Sequence, residues 1–256
     1  MKVELKKLLD EKFRQYNQLS FIANDPISIP HRFTKKQDIE IAGLFAAVFS
    51  WGNRKTIINK SNELMYLMDD SPHQFITQHK ESDLKKLLKF KHRTFNTTDL
   101  LYFIHFLKHW YSKNKSLETA FSNGLKKNDE TVENALIHFH DQFFSLTDSP
   151  IRTEKHISTP VRNSSCKRLN MYLRWMVRSD NKGVDFGIWK SIKTSQLIVP
   201  LDVHVQRVAL QFGLMKRETA DWKAATELTA TLKSFDIMDP TKYDFALFGM
   251  GVNEKK

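Results

Sequence analysis

Apolar side chains recur along this chain every three to four residues, the period of helices that turn one face to a core. The opening segment, residues 2–19, puts Val3, Leu5, Leu8 and Leu9 on one stripe. The stretch "NDPISIPHRF" (Asn24–Phe33) then interrupts the pattern with two prolines. A helix is predicted to begin at Asp38 in "DIEIAGLFAAVFSW", where the apolar density is high enough to imply burial on most sides. Gly52 breaks it, and "GNRKTIINKSNELMYLMDD" resumes the pattern. Further helices are predicted at Ser82–Phe90, at Asn96–Ser112 with Thr97, Thr98 and Asp99 available as caps, at Ser116–Asn123 and at Thr131–Phe144. The polar stretch "SLTDSPIRTEKHISTPVRNSS" (Ser145–Ser165) carries two prolines and several basic residues, and reads as the longest loop and a hinge between two lobes. Beyond it come "CKRLNMYLRWMVR", an irregular piece, a helix opened by Asp202, the helix "WKAATELTATLKSF" and a last helix at "YDFALFGMG".

Composition agrees with this pattern. Only 8 Gly and 7 Pro occur in 256 residues, too few turn formers for many short strands, so the fold class is all-α. The length suits one large domain or two packed lobes, read here as residues 30–150 and 151–256, with the N-terminal helix (1–29) joining the second. Forty Lys and Arg against 29 Asp and Glu give a formal charge of +11, which raises the expectation of a polyanionic partner without fixing it. A single cysteine, Cys166, excludes an internal disulfide and any four-cysteine metal site. The charged, amphipathic start predicts no signal peptide, and no apolar run approaches about 18 residues, so a cytoplasmic, nucleoid-associated protein with no membrane partner is expected.

Two short stretches carry candidate chemistry. In "SSCKRLNMYLRWMVR", Leu169, Leu173, Met176 and Val177 form a core face, and Ser164 or Ser165 as N-cap would place Lys167 in the first turn. The positive end of a helix disfavours an ammonium there, so Lys167 reads either as a nucleophilic amine or as an ordinary surface lysine. In "IVPLDVHVQRVALQFGL", Asp202 stands before the apolar positions Val205, Val208, Ala209 and Phe212, and reads either as a helix cap or as a catalytic carboxylate. Arg162, Lys167, Arg168, Arg174, Arg178 and Lys182 make the densest basic stretch, a candidate DNA-facing surface. His138, His140 and Asp141 look like metal ligands at first sight, but residues two apart on a helix face different ways, so no metal is expected.

Together these pieces resemble the helix-hairpin-helix DNA glycosylase superfamily. Its "P-V-D-x-H-V-x-R-V-x-x-R-L-G-L" motif is matched in place by Pro200, Asp202, His204, Val205, Arg207, Val208, Gly213 and Leu214. The stretch "IAGLFAAVFSWGNRKTIINKSNELM" looks like the early helix pair of those enzymes and "YDFALFGMG" like their "A-L-M-D-L-G" helix, so the likeness spans roughly residues 35–252. The whole chain is also similar to a family of uncharacterised bacterial proteins. The hairpin "L-P-G-V-G-x-K-T-A" is represented by "TPVRNSSCKRLN", which keeps Pro160 and Lys167 but neither glycine, and the Lys-to-Asp separation is long. Both departures are similar to the archaeal 8-oxoguanine DNA glycosylases.

The resemblance implies a two-lobed helical helix-hairpin-helix glycosylase-like fold, acting as a monomer on double-stranded DNA that contains a damaged base. It implies Lys167 as Schiff-base nucleophile, Asp202 as the carboxylate that stabilises the oxocarbenium ion, and AP-lyase activity without a cofactor. It further implies DNA contacts from Trp51, Asn53, Arg54, Arg162, Asn163, Ser164, Arg168, His204 and Arg207, with Phe248 lining the base pocket. The missing hairpin glycines leave a second expectation open, a DNA-binding protein that kept the fold and lost catalysis. A purely structural protein with incidental basicity is a third.

Overall fold

The computed structural model describes residues 2–253, and its α-helices follow the apolar repeat closely. They are α1 (Lys2–Tyr16), α2 (Leu19–Ile22), α3 (Lys36–Phe49), α4 (Arg54–Leu67), α5 (Pro72–Gln78), α6 (Glu81–Leu84), α7 (Thr97–Tyr111), α8 (Glu118–Ser122), α9 (Glu133–Phe143), α10 (Lys167–Val177), α11 (Val203–Gln211), α12 (Trp222–Lys233) and α13 (Tyr243–Asn253). Helix accounts for 62% of the structure and no strand occurs among the described residues, so the class is all-α. No helix among them is long and apolar enough to cross a membrane.

The boundaries differ from the sequence expectation in places that have a physical cause. The first predicted helix stops at Tyr16, and Leu19–Ile22 forms a separate turn. Helix α3 starts two residues before Asp38, whose carboxylate accepts from the His73 amide at 2.8 Å instead of capping its own helix. The predicted helix at Ser82–Phe90 tightens after Leu84 into a 3₁₀ turn, Lys85–Leu87, which lets Leu87 and Phe90 enter the core three residues apart. Asn96, not a threonine, caps α7: its side chain accepts from the Thr98 and Asp99 amides, and Asp99 returns the bond to the Asn96 amide.

The chain divides into two compact units. A central unit holds Asn24–Gly124 and Ala135–Ser158, and a terminal unit holds the residues up to Ala23, Leu125–Asn134 and everything from Thr159 onward. In the central unit, α3 buries eleven of its fourteen residues, as its composition predicts. Phe49, Phe95, Phe103 and Phe143 interlock there edge to face, with successive ring centroids 5.0, 5.3 and 4.7 Å apart. Glu40 is fully buried in α3, and its carboxylate accepts from Tyr111 Oη (2.9 Å), the Leu117 amide (3.1 Å) and Ser116 Oγ. The predicted long loop is ordered here: its 3₁₀ turn Ile151–His156 is pinned because Asp99 accepts from Arg152 Nη1 (2.7 Å) and Thr153 Oγ1 (2.8 Å).

The terminal unit is organised around α13, which packs on α1 along one side and on α11 along another. Two glycines in the second half of α13 make this possible. A Cβ on Gly249 would sit 2.2 Å from the Tyr16 ring of α1, and one on Gly251 would lie 2.9 Å from the His204 backbone oxygen of α11. The roughly 1 kcal/mol that each helical glycine costs against alanine is the condition for that close approach.

Candidate active site

Everything that positions Lys167 and Asp202 lies within the terminal unit. Ahead of α10, Thr159 caps a 3₁₀ turn, Pro160–Arg162, and the chain then takes left-handed conformations at Asn163 (φ 55°) and Cys166 (φ 49°). Left-handed backbone is uncommon at residues other than glycine, so both bends need contacts to hold them. Asn163 is held in place by a bond from its Nδ2 to Asp221 Oδ2 (3.1 Å), and its carbonyl accepts from the Trp222 amide (3.2 Å). Ser164 forms a backbone bridge with Asp221, and its Oγ accepts from the Cys166 amide at 3.2 Å. The N-cap of α10 is therefore Cys166, with no side-chain cap bond, rather than Ser164 or Ser165. Lys167 is the first residue of the helix.

Asp202 is set from the other side. Leu197–Leu201 is a buried extended run fixed to α12 by a bond from the Val199 amide to Thr229 Oγ1 (3.1 Å). Pro200 then delivers Asp202 to the N-cap of α11 in extended geometry. Its Oδ1 accepts from the amides of His204 (2.9 Å) and Val205 (2.8 Å), and its Oδ2 faces Lys167 Nζ at 3.6 Å. The two readings of Asp202 are thus carried by different oxygens. Asp202 is 12% exposed and Lys167 30%, so solvent or a ligand reaches the pair mainly along the lysine.

One sequence expectation is overturned here. Arg174 and Arg178 do not face outward: they are 3% and 1% exposed. Arg174 pairs with Asp244 and with Asp185 (3.3 Å). Arg178 meets Asp185 (3.0 Å), Asp239 (2.9 Å) and Asp180 (2.8 Å), which hold its guanidinium well above the usual range despite burial. Helix α10 burial leaves no choice, because Leu169, Tyr172, Leu173, Met176 and Val177 are also inside, so the buried arc wraps most of the helix. Burial pushes the Asp244 carboxyl up to about 7 against the pull of Arg174, and the charges of Asp202 and Asp185 push it the same way. Sequence reasoning missed Asp185 and Asp244. The available signal was the i, i+4 spacing of Arg174 and Arg178 on an otherwise apolar arc.

The remaining predicted residues fall into two groups. In the terminal unit, Arg162 and Asn163 are exposed, Ser164 and Arg168 are half-buried, and burial draws the Arg168 guanidinium down. Arg207 donates from Nη2 to the Gly251 carbonyl at 2.6 Å, bracing α11 against α13. His204 lies edge-on to Phe248 (6.2 Å), whose half-buried ring also meets Phe21 (6.4 Å). In the central unit, Asn53 caps α4 by accepting from the Thr56 amide (3.1 Å), beside the half-buried Arg54. Trp51 is half-buried, with the exposed Arg93 guanidinium 4.2 Å above its ring, a contact the sequence did not announce. Among the described residues, no three His, Cys, Asp or Glu side chains group as metal ligands.

A family described as "Protein of unknown function (DUF2400)" matches residues 25–253. The chain belongs to that family. No curated protein and no solved structure matches it. The family match takes in α3–α13, and with them both members of the Lys167–Asp202 pair and the buried Arg174–Asp244 pair, while α1 and α2 lie outside it.

Proposed function

We propose that this protein is a DNA repair glycosylase with AP-lyase activity on a damaged base, with oxidised guanine the first lesion to try. The observation that carries the reading is the division of labour at Asp202: one oxygen locked in a helix cap, the other 3.6 Å from a lysine amine at the start of a second helix. A rigid carboxylate beside an amine is the arrangement that covalent base excision requires.

The target nucleotide leaves the duplex stack so that C1′ can reach Lys167. The C1′–N glycosidic bond breaks, its electron pair leaves with the base, and Asp202 Oδ2 offsets the positive charge growing on the sugar. The lone pair of neutral Lys167 Nζ forms the new bond at C1′, and the proton shed by nitrogen passes to the departing base. The sugar ring then opens to an imine. Loss of a C2′ proton and cleavage of the C3′–O bond release the 3′ phosphate, and water hydrolyses the imine to restore the amine.

Charge supports a nucleic-acid partner. The buried cluster sets two arginines, Arg174 and Arg178, against four aspartates, so it supplies none of the formal +11 of the chain. Between Pro160 and Lys167 the chain takes left-handed backbone at Asn163 and Cys166 without any glycine, so a tight turn there does not require the absent glycines.

Borohydride trapping on duplexes carrying an abasic site or 8-oxoguanine tests the reading. A covalent adduct that disappears in Lys167→Ala is expected. Salt-dependent DNA binding with no adduct and no base release across a lesion panel would replace it with the second reading, a DNA-binding protein that lost catalysis.

A further inference from the structure

Two segments of the central unit, the turn between α3 and α4 and the turn that precedes α7, meet at a point the proposed chemistry leaves unused. His92 and Phe95 exchange both backbone hydrogen bonds at 2.9 Å, which leaves Arg93 and Thr94 as the tip of a tight turn. The tip is tied down on both sides. The buried His92 ring sets its Nε2 3.0 Å from the Phe49 carbonyl, and the Thr94 carbonyl accepts from Arg152 Nη2 at 3.1 Å. Arg93 itself is left-handed (φ 56°), a conformation that residues with a Cβ rarely adopt and that marks a position worth a functional question. Its guanidinium lies 4.2 Å over the Trp51 ring and fills the space of the side chain that Gly52 lacks, since a Cβ there would collide with Nη1. Trp51 Nε1 is buried and donates to no group among the described residues, so what the ring contributes is its face.

We infer that Arg93 is a phosphodiester-binding residue of the central unit, aimed at a DNA strand by the Trp51 face and the bare Gly52. The inference rests on the nucleic-acid part of the proposed function and not on its chemistry. Arg93 is exposed, and among the described residues its guanidinium meets no carboxylate. Residues 50–56 and 89–96 contain no acidic residue and five cations, Arg54, Lys55, Lys89, Lys91 and Arg93. A guanidinium held flat by stacking, with its donors unclaimed and like charges around it, suits a phosphate gripped by two parallel N–H bonds. Stacking also orients the side chain before any strand arrives, so less freedom is lost on binding. Trp51 thereby takes a part different from the one the family resemblance implies. Its ring acts through Arg93 and not by a DNA contact of its own.

The test is binding of the full chain to a fluorescein-labelled duplex carrying an abasic site, followed by anisotropy over a series of NaCl concentrations. Wild type is compared with Arg93→Ala, Arg93→Lys, Trp51→Leu and the Trp51→Leu, Arg93→Ala double variant. Loss of one phosphate contact lowers the slope of log affinity against log salt by about 0.9, or roughly eightfold in affinity at about 0.1 M salt, and Arg93→Ala should show both. Arg93→Lys should restore the slope but only part of the affinity, because an ammonium keeps the charge without the stacked fork. Trp51→Leu should weaken binding at an unchanged slope and add nothing to Arg93→Ala in the double variant. Amide exchange at Phe95 checks that the turn is intact in each variant. An unchanged slope in Arg93→Ala overturns the inference. Losses that add in the double variant overturn the part given to Trp51, since they mark a ring that touches DNA itself. Saturable displacement of the duplex by inorganic phosphate at matched ionic strength marks a free-anion site and overturns the assignment to a strand. Borohydride trapping on the same samples separates this contact from the glycosylase reading. The Arg93 effects without any adduct sink that reading and leave the contact standing, and an adduct with an unchanged Arg93→Ala slope does the reverse.

Discussion

Asp202 offers a substitution whose structural and chemical effects separate. Asp202→Asn keeps Oδ1, and with it the bonds from the His204 and Val205 amides; Asp202→Ala removes both. Loss of the charge forfeits the attraction to the start of the nine-residue helix α11, about 0.3–1 kcal/mol for an exposed cap. It also forfeits the pair with Lys167, which is 30% exposed, so screening reduces that contribution to about 0.5 kcal/mol. Relief of the repulsion between Asp202 and Asp244 acts in the opposite sense. The asparagine variant should therefore lose no more than about 1 kcal/mol, and the alanine variant about 1 kcal/mol more for the missing cap. Because the chain has two units, global unfolding is a blunt measure, and hydrogen exchange at the His204 and Val205 amides is the sharper one. Those amides should stay protected in Asp202→Asn and exchange faster in Asp202→Ala, while base excision is abolished in both. Loss of protection in the asparagine variant would show that the cap depends on the charge, and the assignment of Oδ2 to chemistry would fall.

The other predictions use different parts of the terminal unit. Asp244 has a folded pKa raised to about 7 from 3.8, so its neutral form contributes stability that is complete below about pH 4 and lost as pH rises through 7. That loss amounts to about 4 kcal/mol, and Asp244→Asn should flatten the urea-unfolding profile over this window. Arg174→Met leaves buried Asp244 without its guanidinium, while Asp185 keeps Arg178, and should cost about 3–5 kcal/mol with no change in the salt dependence of DNA binding. Arg162→Ala should leave stability alone and lower the slope of log affinity against log salt by about 1. Gly251→Ala should reduce excision more than Gly249→Ala, because its new methyl meets the α11 backbone beside Asp202 whereas the other meets only the Tyr16 ring; equal losses would show that α13 does not hold the site.

The sequence made the helices legible because their pattern is imposed locally: α3, α10 and α13 each show their buried arc in one-dimensional spacing. Lys167 and Asp202 were legible as a pair through the resemblance of their flanking motifs, and the structure places their polar atoms 3.6 Å apart. What the spacing could not reveal was where long polar side chains end. Arg174 and Arg178 read as part of a basic surface because a guanidinium counts as polar in any pattern, and their partners Asp185, Asp239 and Asp244 lie 7 to 70 residues away. A buried cation is stable only where anions converge on it from separate segments, and convergence is a property of tertiary packing. Tertiary contacts likewise account for the turn before α10, which has no glycine. Left-handed backbone is inexpensive for glycine, but Asn163 is held there by Asp221 and Trp222, and Cys166 by Ser164. The buried arginines and Asn163 are both held by contacts between residues far apart in the chain. The Lys167–Asp202 pair depends on such contacts, since Asp221 and Trp222, which hold Asn163, and Asp202 itself all come from segments that follow Lys167 in the chain.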